Sequence, residues 1–182
     1  MVIDSPCMSV IAAAIEAPLA PDELARRWQA LCADPTFEDV AGKIELTEWG
    51  EILMSPVGKS RGIAAMRIAE SLRKALGGHT MAEVGVTTSI GVRAPDVAWC
   101  SERYLAAHPE EMPLSSAPEL CVEIVSASNA LPKLREKAMA YINAGAAEAW
   151  IVYPQSGQIE IYGREGRRAA TSFAVDTAAL LA

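Results

Sequence analysis

Residues 94–99 read APDVAW and residues 119–126 read ELCVEIVS, and these two stretches determine the predicted sheet. Each is an apolar run typical of a buried strand, and each carries a carboxylate, Asp96 in the first and Glu123 in the second. A buried carboxylate is costly unless a cation neutralises it. Adjacent strands lie about 4.8 Å apart, so two carboxylates on one face can share a divalent ion. The two stretches therefore predict neighbouring strands with a metal-dependent hydrolytic site between them.

The rest of the chain alternates between helical and strand patterns on either side of these two stretches. Helices are expected over residues 21–33, 60–76 and 132–144, hairpins over 43–54 and 149–162, and further strands over 82–90, 95–100 and 171–175. This order predicts an α/β (α+β) fold in which helices flank a central mixed β-sheet. The 182 residues suffice for one globular domain. We expect an N-terminal arm and helix over residues 1–40 and the main domain over residues 41–182.

Composition and charge narrow the class of protein. The net charge of −7 argues against a protein that coats nucleic acid by bulk attraction, but a nuclease can carry local basic patches on an acidic body. The four cysteines have no CxxC spacing. The early apolar run over residues 10–15 has no preceding Lys or Arg, and no run approaches the roughly 20 residues that cross a bilayer. A cytoplasmic protein without a membrane partner is therefore expected.

Lys137 is the basic residue best placed to join the two carboxylates. It lies on the helix predicted after the Glu123 strand, with Lys133 one turn earlier and Tyr141 one turn later on the same face. That helix packs back toward its own strand, so this face can reach Glu123. A lysine there can stabilise developing negative charge or orient a water molecule. The simpler alternative for Lys137 alone is a solvated helix charge.

Five segments, taken in order and spacing, resemble a known family. The chain resembles the Uma-type endonucleases, a branch of the PD-(D/E)XK restriction endonuclease-like superfamily, over residues 44–162. The segments are IELTEWGEILMSP (44–56), APDVAW (94–99), ELCVEIVSASN (119–129), KLREKAMAYINAGAAEAWIVYP (133–154) and IEIYG (159–163). The resemblance implies a restriction endonuclease-like fold, with the PD-(D/E)XK nuclease-like domain over residues 41–182.

The resemblance also implies roles for individual residues. Asp96 matches the acid of the PD element and Glu123 the acid of the (D/E)XK element, and both would hold the metal ion. Val125 stands at the third position of that element, where the superfamily pattern has a lysine. Lys137 occupies the place of the lysine that members of this branch carry on the following helix.

Two positions depart from the family pattern or leave it open. The acid of the early hairpin aligns with Glu45 or Glu51, because Trp49 is inserted in the turn between them. The family often has a histidine after the Ser-Pro turn, where this chain reads Lys-Ser-Arg over residues 59–61. Basic residues also cluster along two predicted helices, either as a solvated face or as a rim facing phosphates. They are Lys59, Arg61, Arg67, Arg73 and Lys74 on one helix, and Lys133, Arg135 and Lys137 on the other.

The function implied by the resemblance is a Mg²⁺-dependent (or Mn²⁺-dependent) endonuclease that hydrolyses phosphodiester bonds in DNA. A homodimer is plausible for such an enzyme, because cutting both strands of a duplex favours two sites related by a two-fold axis. An alternative is a catalytically inactive binding or regulatory module on the same fold, motivated by the acidic net charge and the missing histidine. A third idea is a hydrolase acting on a small phosphate ester.

Overall fold

The computed structural model describes residues 17–37, 42–56, 58–126 and 130–181. The helices are α1 (Pro21–Ala33), α2 (Lys59–Leu76), α3 (Glu102–Ala107) and α4 (Leu131–Asn143), and short 3₁₀ turns lie at Pro35–Phe37 and Thr177–Ala179. The strands are β1 (Lys43–Leu46), β2 (Ile52–Ser55), β3 (His79–Met81), β4 (Val86–Thr88), β5 (Gly91–Arg93), β6 (Val97–Cys100), β7 (Leu120–Ile124), β8 (Glu148–Tyr153), β9 (Gln158–Gly163) and β10 (Gly166–Arg168). Within these ranges no helix has the length and apolarity needed to span a bilayer.

A six-stranded mixed sheet forms the centre of the fold, in the order β10-β9-β8-β7-β6-β3. Strands β7 and β8 pair in parallel, and every other neighbouring pair in this sheet is antiparallel. Helix α4 connects β7 to β8, because parallel strands cannot be joined by a tight turn and need a crossover. The predicted α/β (α+β) architecture with a central mixed sheet is therefore confirmed.

The two faces of the sheet are covered by different helices. On one face Ile68 and Leu72 of α2 pack against alternate strand residues, among them Trp150. On the other face Tyr141 of α4 packs in a second cluster that contains Ile151. Consecutive side chains of a strand point to opposite faces, so the neighbours Trp150 and Ile151 belong to different halves of the core.

A smaller core joins the N-terminal helix to two hairpins outside the central sheet. Strands β1 and β2 form one antiparallel hairpin, and β4 and β5 form another. Leu24 and Trp28 of α1 pack with Leu46 of β1 and Val92 of β5 in a buried cluster. This small core holds β1 and β5, the strands that carry charged side chains toward the main sheet. The predicted N-terminal arm falls mostly on residues 1–16, outside the described ranges.

The strand predicted over residues 82–90 is wrong. The structure has β3 before this region, paired with β6, and the separate β4–β5 hairpin within and after it. Backbone conformation explains the interruption, because Glu83 and Gly91 both have positive φ, at 53° and 108°. Such φ values interrupt a regular extended conformation, so Glu83 separates β3 from β4 and Gly91 marks the start of β5 rather than the continuation of β4.

The strand predicted over residues 171–175 is also wrong. The segment forms no strand, and instead the Thr171 hydroxyl and the Ser172 backbone N–H donate hydrogen bonds to the Glu148 carboxylate. Phe173 packs edge-on against Trp99, with ring centroids 5.5 Å apart. Strand β10, which the sequence did not predict, pairs with β9 at that end of the sheet. The segment is therefore held by side-chain contacts rather than by a strand ladder.

Gly91→Ala should lower the free energy of unfolding by about 3 kcal/mol, because it adds a side chain at a strongly positive φ. A Cβ at this position would also clash with the backbone carbonyl of Leu46, where β5 approaches β1. Urea denaturation measures the loss. Gly157→Ala is the matched control, because Gly157 also has positive φ, at 70°, but open space around it, and should cost about 1 kcal/mol. Equal losses in the two variants would contradict a tight β1–β5 approach.

Candidate active site

Asp96, which directly precedes β6, lies opposite Glu123 of the neighbouring strand β7. The register of β6 and β7 pairs Val97 with Val122, so the preceding residue Asp96 stands across from Glu123. Both side chains are buried. The Ile124 N–H donates to Asp96 Oδ2 at 2.8 Å, which fixes one carboxylate oxygen of Asp96 to the backbone of β7. The structure thus brings together the two acids predicted to share a cation.

A lysine that the sequence analysis did not single out lies between these acids. The Lys43 ammonium donates to Asp96 Oδ1 at 2.7 Å, to the Ala94 carbonyl at 2.8 Å and to Glu123 Oε2 at 3.4 Å. Its side chain is only 3% exposed, so it is a buried cation. Lys43 and Glu45 are two residues apart on β1 and therefore point to the same face.

Glu45 and Lys137 complete the cluster from the opposite side. The Lys137 ammonium lies 2.7 Å from Glu45 Oε1 and 2.7 Å from Glu123 Oε1. The Ala94 N–H donates to Glu45 Oε1 at 2.9 Å, which anchors this carboxylate to the strand that leads into Asp96. Three acids from three separate segments are therefore linked through two lysines.

Tyr141 holds the Glu123 carboxylate from within the core. It lies on α4 one turn after Lys137, and its hydroxyl donates to Glu123 Oε1 at 2.8 Å. Burial and the adjacent Glu123 charge raise the pKa of Tyr141 well above its ordinary value. The hydroxyl therefore keeps its proton and acts as a donor that orients Glu123.

The pKa values of the central groups follow from burial and from the neighbouring charges. Burial opposes the charge of Lys43, but Glu123, Asp96 and Glu45 outweigh it and raise the pKa of the ammonium. Burial likewise opposes ionisation of Glu123, yet Lys137 and Lys43 hold the pKa of this carboxyl below its ordinary value. For Asp96, burial and the Glu123 charge raise the pKa, although Lys43 acts against them. Asp96 is therefore the easier of the two acids to protonate.

Two arginines approach the same carboxylates. Arg93 of β5 lies 3.7 Å from Glu45 Oε2, and its side chain is 10% exposed. Arg61 at the start of α2 lies 4.0 Å from Asp96 Oδ1 and donates to the Pro56 carbonyl at 3.0 Å. Arg61 belongs to the Lys-Ser-Arg stretch that replaces the histidine of the family pattern. A permanent cation therefore stands near Asp96 at this position.

Of the five predicted site residues, the structure brings four together and leaves one apart. Asp96, Glu123, Lys137 and Glu45 form the cluster described above. Glu51 is exposed at the far end of the β1–β2 hairpin, where its carboxylate lies 3.5 Å from the Thr47 hydroxyl. Between the two hairpin acids left open by the sequence, the geometry places Glu45 in the cluster.

Four members of the cluster, Lys43, Glu45, Glu123 and Lys137, line a cleft of about 410 Å³, whereas the buried Asp96 is not part of its lining. From the predicted basic clusters, Arg61, Lys133 and Lys137 line this cleft. Others serve elsewhere: Arg67 donates to the Leu181 carbonyl, and Arg135 pairs with Glu160. A larger groove of about 830 Å³ runs along α2, but it is lined by none of the acids of the cluster. The chemistry therefore points to the smaller cleft.

Comparison with known proteins decides the family. Residues 28–181 match Uma2, described as "Putative restriction endonuclease". The chain belongs to the Uma2 family. This match contains every residue of the acid and lysine cluster, from Lys43 to Tyr141. No curated protein matches the chain significantly.

A solved structure supports the fold of this Uma2 protein. It is described as a putative nuclease belonging to DUF820 from Anabaena variabilis ATCC 29413, and the superposition has a TM-score of 0.61 at 15% sequence identity. The match covers 76% of this chain and 89% of the other. At this identity the likeness shows a shared fold, and the family match shows that the chain is a member of the Uma2 family.

The oxygen donors of this Uma2 site suit a hard cation. Two carboxylates and a backbone carbonyl converge on one atom, and oxygens of these kinds are the ligands that Mg²⁺ takes. The atom on which these oxygens converge is the nitrogen of the Lys43 ammonium, so a positive charge already lies between Asp96 and Glu123. Within the described ranges, no three Asp, Glu, His or Cys side chains are arranged as a ready metal site. The donor set fits a divalent ion once Lys43 is displaced.

Sequence reasoning missed Lys43, Arg93 and Arg61 as members of the site. Lys43 carried a usable signal, because it alternates with Glu45 on a short strand and so shares its face. Arg93 directly precedes the APDVAW stretch, at the end of β5. Arg61 was noted in the stretch that replaces the family histidine and in a basic helix face, but not as a neighbour of Asp96. In all three cases the partner lies on a distant segment, which periodicity does not reveal.

Proposed function

We propose that this Uma2 protein is a Mg²⁺- or Mn²⁺-dependent endonuclease that hydrolyses phosphodiester bonds in DNA. The observation that carries the proposal is that Lys43 and Lys137 join Asp96, Glu123 and Glu45 in one cluster, and that Glu45, Glu123 and both lysines form part of the wall of a cleft. The family description supports a nuclease, and the basic residues that line the cleft suit a phosphate backbone.

Asp96 and Glu123 would hold the ion through Oδ1 and Oε2, the two carboxylate oxygens that contact the Lys43 ammonium. Glu45 would act as a third or outer ligand, since its Oε1 is already fixed by the Ala94 N–H and Lys137. A divalent ion bound there would polarise the phosphate and lower the pKa of a bound water. Tyr141 keeps Glu123 oriented because its hydroxyl donates a hydrogen bond to Oε1.

Lys137 would stabilise the negative charge that develops on the phosphate or orient the attacking water. Two of its three N–H donors are directed to Glu45 and Glu123, which holds the ammonium in a fixed position. Within the described part of the chain this ammonium contacts no third acceptor, so its third donor would be available to substrate or water. A preorganised donor of this kind needs no rearrangement during the reaction.

Arg61, Arg93 and Lys133 line the cleft around the acids and would contact the phosphate backbone on either side of the scissile bond. Such contacts position the duplex without reading its sequence. The proposal includes a homodimer, because cleavage of both DNA strands favours two active sites related by a two-fold axis.

Asp96→Ala and Lys137→Ala should each lower Mg²⁺-dependent cleavage of supercoiled plasmid DNA at least about 100-fold. Asp96→Ala removes a proposed ion ligand, and Lys137→Ala removes the fixed ammonium. Gel electrophoresis of nicked and linear products measures the rates, and circular dichroism verifies the fold of each variant.

Glu51→Gln is the matched control for these variants. Glu51 is an exposed acid on the same hairpin as Glu45, outside the cluster, so cleavage should stay within about two-fold of the wild type. Cleavage that persists in both Asp96→Ala and Lys137→Ala would overturn the assignment. A loss in Glu51→Gln equal to theirs would point to a different site.

A second candidate function is a catalytically inactive binding module on the same fold. It is favoured by one observation, the Lys43 ammonium between the two proposed ion ligands. If neither Mg²⁺ nor Mn²⁺ raises the melting temperature or supports cleavage by the wild type and by the Lys43 variants described below, this function replaces the first.

A further inference from the structure

Lys43 faces the same oxygens that the proposed ion would use. Its ammonium meets one oxygen of Asp96, one oxygen of Glu123 and the Ala94 carbonyl, at 2.7, 3.4 and 2.8 Å. An ammonium has three donors, and three oxygens surround this one. The Lys43 ammonium is therefore a cation surrounded by three oxygen atoms, which together are called the oxygen cage.

The second lysine occupies a different part of the cluster. Lys137 contacts Glu123 Oε1 and Glu45 Oε1, whereas Lys43 contacts Glu123 Oε2 and Asp96 Oδ1. Lys43 is also the more buried of the two, with a side chain 3% exposed against 12% for Lys137. Within the described part of the chain, Lys43 is therefore the basic residue whose ammonium bridges Asp96 and Glu123.

The negative charge of the cluster is already neutralised without any ion, because its basic groups outnumber its carboxylates by one. Three carboxylates, those of Glu45, Asp96 and Glu123, are met by four basic groups, those of Lys43, Lys137, Arg61 and Arg93. A divalent ion added to this arrangement would be repelled by a buried ammonium at the same oxygens. An ion and the Lys43 ammonium therefore exclude each other between Asp96 and Glu123.

We propose that Lys43 is a built-in competitor of the divalent ion, so that the ion binds Asp96 and Glu123 only when the Lys43 ammonium withdraws from them. This inference rests on the proposed function, which makes these two acids the ion ligands. The affinity of the wild type for the ion is consequently reduced, because the free energy of displacing the Lys43 ammonium opposes binding. Removing the ammonium should expose the oxygen cage and raise that affinity.

The test measures Mn²⁺ binding by isothermal titration calorimetry, with the Mn²⁺-induced rise in melting temperature as a second readout. Lys43→Met and Lys43→Gln should bind Mn²⁺ at least about 10-fold more tightly than the wild type. Lys43→Arg keeps the charge and should bind as weakly as the wild type. Adding Asp96→Asn to Lys43→Gln should abolish the gain, because it removes one of the two ligands.

Lys74→Met is the control for net charge. Lys74 is exposed on α2 and lines the groove away from the acids, so its loss should change Mn²⁺ affinity by less than about two-fold. Lys43→Met leaves buried carboxylates without their cation and can fail to fold without metal. Lys43→Gln, whose amide can still donate to the Ala94 carbonyl, then decides the test.

Three outcomes separate this inference from the proposed function. If the wild type and Lys43→Gln bind Mn²⁺ equally well and adding Asp96→Asn abolishes this binding, the competition is overturned but the ion site is supported. No binding in any of these proteins would overturn both the competition and the metal dependence. Tighter binding by Lys43→Gln without DNA cleavage by any of them would support the competition and overturn the nuclease assignment.

Discussion

Glu123→Gln should lower DNA cleavage at least about 1,000-fold and the free energy of unfolding by about 3 kcal/mol. Glu123 is the residue on which the site converges, because its carboxylate contacts Lys43, Lys137 and Tyr141. The amide keeps the shape of the side chain and can still accept from Tyr141, but it removes the charge. The buried ammonium groups of Lys43 and Lys137 then lose the carboxylate that both of them contact, which destabilises the fold. A proposed ion ligand is lost as well.

Glu160→Gln is the matched control for this prediction. The sheet register places Glu123, Ile151 and Glu160 side by side on three successive strands, so Glu160 is a buried acid on the same face. It accepts hydrogen bonds from Arg135, Tyr153 and Tyr162 and does not line the cleft.

This control variant should lose stability without losing cleavage. Plasmid cleavage and urea denaturation, measured on the same preparations, give both quantities. Full cleavage by Glu123→Gln, or an equal loss of cleavage in Glu160→Gln, would show that the charge of Glu123 has no special part in the reaction.

Glu148→Ala should lower the free energy of unfolding at pH 7 by about 4 kcal/mol. Glu148 is fully buried at the start of β8, and its carboxylate accepts hydrogen bonds at 2.7 to 2.8 Å from Trp150, Arg168, Thr171 and Ser172. Truncation leaves these donors without an acceptor and releases the segment that carries Phe173. Chemical denaturation followed by tryptophan fluorescence measures the loss.

The stabilising charge of Glu148 should disappear in acid. Burial opposes its ionisation, but the hydrogen bonds from Ser172, Trp150 and Thr171 hold the pKa of the carboxyl below its ordinary value. A lowered pKa means that the folded state binds the proton less well than the unfolded state. The stability difference between the wild type and Glu148→Gln is therefore full above the ordinary pKa and shrinks as pH falls through the lowered value.

Asp176→Asn is the control for the C-terminal segment. Asp176 is exposed and accepts from the Ala178 N–H at 3.0 Å, a role that asparagine fills almost equally well. Its stability should change by less than about 0.5 kcal/mol. If Glu148→Ala loses no more stability than Asp176→Asn, the Glu148 carboxylate does not hold the C-terminal segment. If the stability difference between the wild type and Glu148→Gln is the same at pH 7 and pH 3, the pKa of Glu148 is not lowered.

Elements with a strong local pattern could be predicted from the sequence. Helices α2 and α4 begin and end within one residue of the predicted ranges, because apolar periodicity and the glycines after each helix mark them. Strand β7 was recognisable as an apolar run interrupted by Glu123. The short strands β3, β4 and β5 were not separated, because three-residue strands carry too little periodicity and depend on their partners.

The candidate site divides in the same way. The sequence by itself determined that Glu123 lies on a buried strand, that Asp96 lies next to another, and that Lys137 and Tyr141 share a helix face, because alternation and helical spacing are local properties. Only the tertiary structure decided that Glu45 rather than Glu51 joins them, and that Lys43 lies between the acids. Lys43 is 53 residues from Asp96 and 80 from Glu123. The energy of a buried charge pair depends on distance and burial in space, and a linear pattern contains neither.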